Sequence, residues 1–456
     1  MIKFLNSLTN KKEEFRPSEE GLVKMYTCGP TVYYYQHIGN MRAYIFMDSL
    51  RRTLKYNGFK INGVMNVTDV GHLTSDEDSG EDKMEKAAKR ENKSPYEIAK
   101  FYADIYFNDL KLLNIDKPEH ITYATEYIPQ MIEFVKKLEA KGFTYRIDDG
   151  IYFDVKKFKD YGQLSEKDLE KVGNARIEEN SQKHHPFDFA LWKFVPENHI
   201  MKWDSPWGVG CPGWHIECSA MSNHILGEHI DIHTGGIDHK TIHHEDEIAQ
   251  NDAMTGHQVV NTWMHNEFLL VDGGKMSKSL GNIYTIADLQ QKGYEPLAFK
   301  YFCLNTSYTK EINFTFDALK SAQSALKNLR KTLAEHKNGE NTIDGKTLEK
   351  YEKDFLNAIN DNLNTPLALG VLFSLIKEAK SKQVYDLALK FDQALGLELD
   401  KVDEVEIPDN VKELAELRWQ AKKEKNWAVA DKYRDEISAL GYVIKDSAQN
   451  YTIEKK

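Results

Sequence analysis

The sequence predicts an α/β protein: a parallel sheet flanked by helices and split by an insertion, then an α-helical bundle and a small C-terminal domain. Three observations carry this. Residues 22–67 read as strand, turn, helix and strand; the same alternation resumes after about residue 200; and beyond residue 290 strand signals give way to amphipathic helical stretches. The 456 residues suffice for several domains, and 41% hydrophobic with 29% charged residues exclude a disordered or fibrous chain.

The first strand is LVKMYTC, residues 22–28, β-branched and aromatic, closed by the turn pair Gly29-Pro30. After His37-Ile38-Gly39-Asn40 comes MRAYIFMDSLRRTLKYNG, where Ala43, Phe46, Leu50 and Leu54 recur at helical spacing and Gly58 supplies a stop. FKINGVMNVTDV is the next strand, which completes a βαβ unit and implies a parallel pair. Residues 74–93 are charge-dense and read as an exposed loop running into a helix; 94–115 and 126–142 carry helical periodicity. From about 143 to 195 short runs such as GIYFDV mark the insertion. The sheet then resumes with HIECSAMSNHILG as helix, EHIDIHTGG as strand, HHEDEIAQNDAMTG as helix and VVNTWMHNEFLLV as strand. NFTFDALKSAQSALKNLRKTLAEH, EKDFLNAINDNLNTPLALGVLFSLIKEAKS and VYDLALKFDQALG form the bundle, and the charged LELDKVDEVEIPDN leads to a compact tail.

Composition narrows the classes of function. No apolar run approaches the ~18 residues of a membrane span, and the N-terminal MIKFLNSLTNKKEEF lacks the apolar stretch of a secretion signal, so a cytoplasmic protein with no membrane partner is expected. Four cysteines, at 28, 211, 218 and 303, are too few for a disulfide framework and read as thiols or metal ligands. A net charge of −11 argues on bulk against a nucleic-acid partner, which leaves only local surfaces for one. Twelve of the sixteen histidines fall between His184 and His265, the first sign of a site.

The phosphate-binding pattern G-x4-G-K-[ST] is absent. Instead His37-Ile38-Gly39-Asn40 stands at the mouth of the first helix, where backbone N–H groups and positive potential suit phosphate, and Gly39 permits close approach. Lys275-Met276-Ser277-Lys278-Ser279 follows a glycine turn and offers two lysines to developing negative charge. His243 and Glu247, spaced i, i+4 on one helix face, suit a shared metal; with Cys28 at the end of the first strand and Cys218, the donors suit zinc. On the residues alone, Cys28 reads equally as a small buried residue and His243 as part of a polar face. Cys211 is a rival ligand, and Cys303, in YFCL, reads as core.

HIGN and KMSKSLGN in this order resemble the class I aminoacyl-tRNA synthetases. TCGPTVYYYQHIGN, WDSPWGVGCPGWHIECSAM, HHEDEIAQ, KMSKSLGN and LNTPLAL together resemble the cysteinyl-tRNA synthetases, over about residues 20–446. The resemblance implies a Rossmann-like catalytic domain in two halves, 1–115 and 201–262, with a connective insertion at 116–200. It further implies a KMSKS loop and stem-contact region at 263–315, a helical bundle at 316–407 and an anticodon-binding domain at 408–456. It implies a monomer that joins L-cysteine to tRNA(Cys) with ATP and Mg2+, and one Zn2+ held by Cys28, Cys218, His243 and Glu247. A zinc that binds the substrate thiolate and not a serine hydroxyl would make editing unnecessary. Carried over position by position, His37, Asn40, Lys275 and Lys278 are catalytic. His37, Gly39, Asn40, Lys275, Ser277 and Lys278 bind ATP, and Gly29, Thr68, Trp214, His233 and Asp238 bind cysteine or its adenylate. The signature's last histidine is Asn40 here, which keeps a hydrogen-bond donor but no charge.

The tail reverses the charge: residues 411–456 carry a net +2 and the preceding 410 residues −13. Arg418, Trp419, Lys422, Lys423 and Trp427 offer cations and rings to RNA, as the resemblance implies, or form an ordinary helical hairpin. Two other functions stay open: an ATP-dependent ligase giving cysteine to an amino sugar, as in mycothiol synthesis, and a non-catalytic RNA-binding paralogue.

Overall fold

The computed structural model describes residues 1–71, 83–165, 181–276, 281–401, 408–446 and 450–455. They form two compact units, 1–400 and 401–456. The first is built on a five-stranded parallel sheet in the spatial order Val260–Asn266, Ile230–Gly236, Leu22–Thr27, Lys60–Val67, His120–Tyr123. The alternation read from the sequence is therefore a doubly wound sheet. Chain order runs outward in one direction from Leu22–Thr27 and in the other from Ile230–Gly236, so the switch point lies between these two strands. They meet in register at His233 opposite Tyr26 and Thr234 opposite Thr27, and the Cys28 N–H donates to the Thr234 carbonyl at 3.1 Å.

Helix Ile38–Tyr56 crosses from the first strand to the second and buries Met41, Ile45, Phe46, Leu50 and Leu54. Of the residues whose spacing predicts the helix, Ala43 is only partly buried and borders a cavity. A second, antiparallel sheet takes Thr144–Ile147, Gly150–Phe153, Phe189–Phe194 and Gly210–Pro212 in that order. Its strands span the segment read as an insertion and continue past residue 200, whereas His120–Tyr123 joins the main sheet.

Three elements differ from the sequence reading. VVNTWMHNEFLLV is two strands, because Val260–Asn266 ends on the main sheet and Leu269–Val271 pairs instead with Ile312–Phe314. The break between them is fixed by Arg42, whose buried guanidinium collects the carbonyls of Glu267, Phe268, Ser307 and Lys310. Ile312–Phe314 is itself a strand in the region where strand signals fade; three residues are too few to show periodicity. Finally, residues 352–381 are not one helix: Asn362 and Leu363 both adopt positive φ, and Asn364 caps the new helix Thr365–Leu375.

The second unit is the helical pair Asp409–Lys423 and Trp427–Ala439 with the hairpin Tyr442–Asp446 and Tyr451–Lys455, packed on Val411, Ala415, Ile437 and Tyr442. No helix among the described residues is long and apolar enough to cross a membrane.

Candidate active site

The carboxyl ends of the two central strands open into a cavity of about 520 Å³. Cys28, Gly29, His37, Gly39, Asn40, Trp214, Asp238, Lys275 and Met276 line it, so the sheet brings together residues 248 positions apart in the chain. His37 and Asn40 form a reciprocal cap. Nδ1 of His37 accepts the Asn40 N–H and the Asn40 side chain accepts the His37 N–H, both at 3.2 Å. Burial lowers the His37 pKa, so the ring is neutral, with its proton on Nε2. The first-turn amides are less available than a helix start suggests: Ile38 N–H donates to the Tyr284 carbonyl and Asn40 N–H to His37. Among the described residues the Gly39 N–H keeps no partner, and a Cβ at Gly39 would stand 2.3 Å from the Met276 methyl. The Lys275 loop therefore closes over the helix mouth. Its turn is set by Asp272 and Gly273, both at positive φ, with Gly273 N–H held by Asn313. Lys275 lies over the Phe268 ring, 5.4 Å from its centroid; Ser277 and Lys278 lie outside the described residues.

At the floor, Cys28, Cys218, His243 and Glu247 place one donor atom each within 4.8 Å of the others, all buried. Cys28 and Cys218 sulfurs are 4.0 Å apart and His243 Nε2 is 3.0 Å from Glu247 Oε1. His233 and His244 make an overlapping group with Cys28 and Glu247. Burial raises the Glu247 carboxyl, but His233 and His243, at 2.9 and 3.0 Å, outweigh it and hold it well below the carboxylate range. Burial, then Cys218, push the Cys28 thiol up, while Cys218 is lowered despite burial by its bond from Cys28 and by His243. Cys211 sits on the antiparallel sheet opposite Lys193 and belongs to neither group; Cys303 is buried in the core.

Around these donors stands a polar layer that the sequence showed only as a histidine cluster. His243 Nδ1 meets His215 Nδ1 at 3.0 Å, and His215 Nε2 meets Asp246 at 3.3 Å, which leaves His243 Nε2 for the site. His244 contacts the Cys28 sulfur at 3.2 Å and His265 at 2.7 Å. Glu245 accepts the N–H groups of Gly162, Leu164 and Ser165, fastening the insertion to the helix that bears His243 and Glu247. Of the residues expected in the pocket, Trp214 lies against His243 at 4.5 Å and Asp238 borders the cavity. His233 is fully buried behind Glu247 and stacked on Trp263. Thr68 is buried too, its hydroxyl donating to Glu217 at 2.8 Å and accepting from Asn66, which also receives the Gly29 N–H.

In the second unit Arg418 is buried and bidentate to Asp446 at 2.7 and 2.8 Å, and Lys422 pairs with the same carboxylate at 2.7 Å. Lys422 and Lys423 lie over Trp419, which packs on Tyr451; Trp427 is 58% exposed.

The class I (C) tRNA synthetase catalytic domain model matches residues 14–324, and the DALR domain model matches residues 354–397, inside the helical bundle. Cysteine–tRNA ligases of Treponema denticola and Novosphingobium aromaticivorans are each 43% identical to the chain. The matches cover 100% and 98% of this chain and 99% and 95% of those relatives. Among solved structures, Mycobacterium tuberculosis methionyl-tRNA synthetase bound by methionyl-adenylate superposes with TM-score 0.60 at 14% identity, over 87% of this chain and 95% of that one. The ternary complex of Agrobacterium radiobacter K84 leucyl-tRNA synthetase superposes with TM-score 0.60 at 12% identity, over 84% of each chain; these likenesses show the fold. With full-length identity on one side and the catalytic-domain match on the other, the chain belongs to the class I tRNA synthetases and, among them, to the cysteine–tRNA ligases.

Proposed function

We propose that the chain activates L-cysteine with ATP, as its magnesium complex, to cysteinyl-adenylate and pyrophosphate, and passes the cysteinyl group to the 3′ end of tRNA(Cys). The observation that carries this is the joining of two half-sites in one cavity: His37, Gly39 and Lys275 for the nucleotide, and the Cys28, Cys218, His243, Glu247 set for the thiol. We assign zinc to that set. Two thiols 4.0 Å apart with a buried imidazole and carboxylate within 4.8 Å form a donor set that suits zinc. When bound, the zinc supplies one strong bond to a substrate thiolate that a serine hydroxyl does not make.

The chain's own groups do the rest. Trp214 closes the pocket beside His243, and Asp238 offers a carboxylate to the substrate ammonium. The substrate carboxylate attacks the α-phosphate in line. The neutral His37 donates from Nε2, and the Gly39 N–H and Lys275 face the charge that develops. Lys278, with Ser277, completes this clamp. Transfer then needs only the RNA 3′ hydroxyl at the same carbonyl. We assign residues 408–456 to anticodon binding. One chain carries all these groups, so a monomer suffices. The four cysteines are free thiols, the state a reducing compartment maintains, and the cytoplasm is the compartment we assign.

The test is cysteine-dependent ATP–pyrophosphate exchange and charging of a tRNA with a GCA anticodon, with zinc measured on the same sample. One zinc per chain and rejection of serine are expected. Cys218→Ser should abolish both metal and cysteine binding and leave ATP binding intact; unchanged zinc content would refute the ligand assignment. Exchange without tRNA charging would favour an amino-sugar ligase.

A further inference from the structure

The chemistry above leaves unused the tyrosine run before His37 and the basic helix that follows the sheet's second strand. Residues 83–93, KMEKAAKRENK, hold five cations and two carboxylates on a chain of net charge −11. Helix Lys83–Glu91 packs on helix Pro95–Leu112 through Met84, Ala87 and Ala88. This packing sets a file of rings edge to face: Tyr34 to Tyr35 at 5.3 Å, Tyr35 to Tyr102 at 5.0 Å, and Tyr102 to Phe101 at 5.1 Å. Cations cap both ends. The Arg90 guanidinium lies 4.8 Å from the Tyr34 ring centre and the Lys93 ammonium 4.3 Å from that of Phe101. Glu91 offsets part of this charge, 2.7 Å from Arg90 and 3.7 Å from Lys93. The inner end, Tyr34 and Tyr35, borders the same cavity as His37 and Lys275. Tyr35 and Phe101 are 41% and 40% exposed, and Tyr102 between them is buried.

We propose that this file is the docking surface for the unpaired 3′ end of the tRNA, an inference that rests on the function proposed above. The acceptor nucleotide must reach the adenylate, and the nucleotides before it must leave the cavity along some wall. A single strand offers base faces to rings and phosphates to cations, and this wall sets rings between two cations. A duplex hides its base faces, and an acidic peptide gives the rings nothing to stack on. Residues 83–93 put a local net charge of +3 on this wall of an otherwise acidic chain.

The experiment compares the full-length chain with Arg90→Ala and Phe101→Ala. It measures cysteine-dependent pyrophosphate exchange, charging of the tRNA with a GCA anticodon, and binding of that RNA with and without its last three nucleotides. Exchange should stay within about twofold, because neither side chain touches the nucleotide or cysteine site. Charging kcat/KM should fall about tenfold, of the order a lost base–ring stack gives, and Phe101→Tyr should restore it. Removing the three nucleotides should weaken binding by the wild type and make no difference to the two variants. Unchanged charging in both variants overturns the proposal. So does an exchange rate that falls in parallel with charging, which would mean the rings serve ATP, or equal losses on intact and shortened RNA. A wild-type chain that exchanges pyrophosphate but charges no RNA refutes the underlying function instead, and that failure is visible without any variant.

Discussion

Asn40 shows how one side chain can do the work of a motif with a different residue. Its amide closes the cap on the His37 N–H while its own N–H occupies His37 Nδ1, so the tautomer with a proton on Nε2 is built into the backbone of the helix start. Charge at position 40 is not needed for this, only an acceptor of the right length. Burial keeps His37 neutral, so the ring acts as a donor and not as a cation. Asn40→Ala removes half of the cap. It should cost about 1 kcal/mol in urea unfolding and lower the pyrophosphate exchange rate beyond what that loss of stability explains, because the His37 N–H no longer fixes the backbone that aims the ring, although the N–H of residue 40 still holds Nδ1. An exchange rate equal to wild type would show that the cap is structural only. The same scale explains why Cys28 and His243 could not be assigned from their neighbours in sequence. A thiol and an imidazole are defined by what surrounds them. Here that is Cys218, Glu247 and the His215–Asp246 pair, which lie on other elements or on the hidden side of the same helix.

At the scale of elements, periodicity and punctuation made most of the fold readable. Ala43, Phe46, Leu50 and Leu54 announce a helix, and Gly29-Pro30 and Gly235-Gly236 end the two strands between which the site forms. What could not be read had no local cause. The break after Asn266 is made by Arg42, more than 220 residues away, and the pairing of Leu269–Val271 by a three-residue strand. The left-handed pair Asn362 and Leu363 interrupts an apolar pattern that otherwise continues, and Tyr308 and the Leu5 N–H hold the Asn362 side chain in place. Arg42 also connects the helix that carries His37 to the segment that leads into Lys275. Arg42→Lys cannot satisfy carbonyls of Glu267, Phe268, Ser307 and Lys310 together, because an ammonium lacks the planar fork. The variant should lose about 3 kcal/mol of stability by denaturant titration. Its exchange rate should fall with the KM for ATP rising, since the helix mouth at His37 and the Lys275 loop, proposed above to hold the nucleotide, lose their common anchor. Full stability in Arg42→Lys would mean that water serves those carbonyls equally well.

Over the whole molecule, bulk charge is a poor guide to partner. The chain is acidic, yet it carries local positive stretches: residues 83–93 hold five cations against two carboxylates, and the last 46 residues a net +2. Within that second unit, however, not every cation is free for RNA: Asp446 takes Arg418 and Lys422, which hold its carboxyl well below the usual range. Arg418 and Trp419 therefore act inside the unit, as clamp and core, while Trp427 is exposed and Lys423 lies over Trp419. Sequence could list these five residues as candidates, but it could not divide them, because the division depends on a hairpin strand 28 residues away. The two units have separate cores, and every residue assigned to cysteine and ATP lies in the first. Deletion of residues 408–456 should accordingly leave pyrophosphate exchange within about twofold of wild type. Charging of the full tRNA should fall by at least tenfold, through KM, since a lost phosphate or stacking contact weakens RNA binding and not the chemical step. A short acceptor-stem RNA, which has no anticodon to lose, should be charged equally by both forms. If charging of that short RNA falls as far as charging of the full tRNA, the second unit supports the fold of the first and does not read the anticodon.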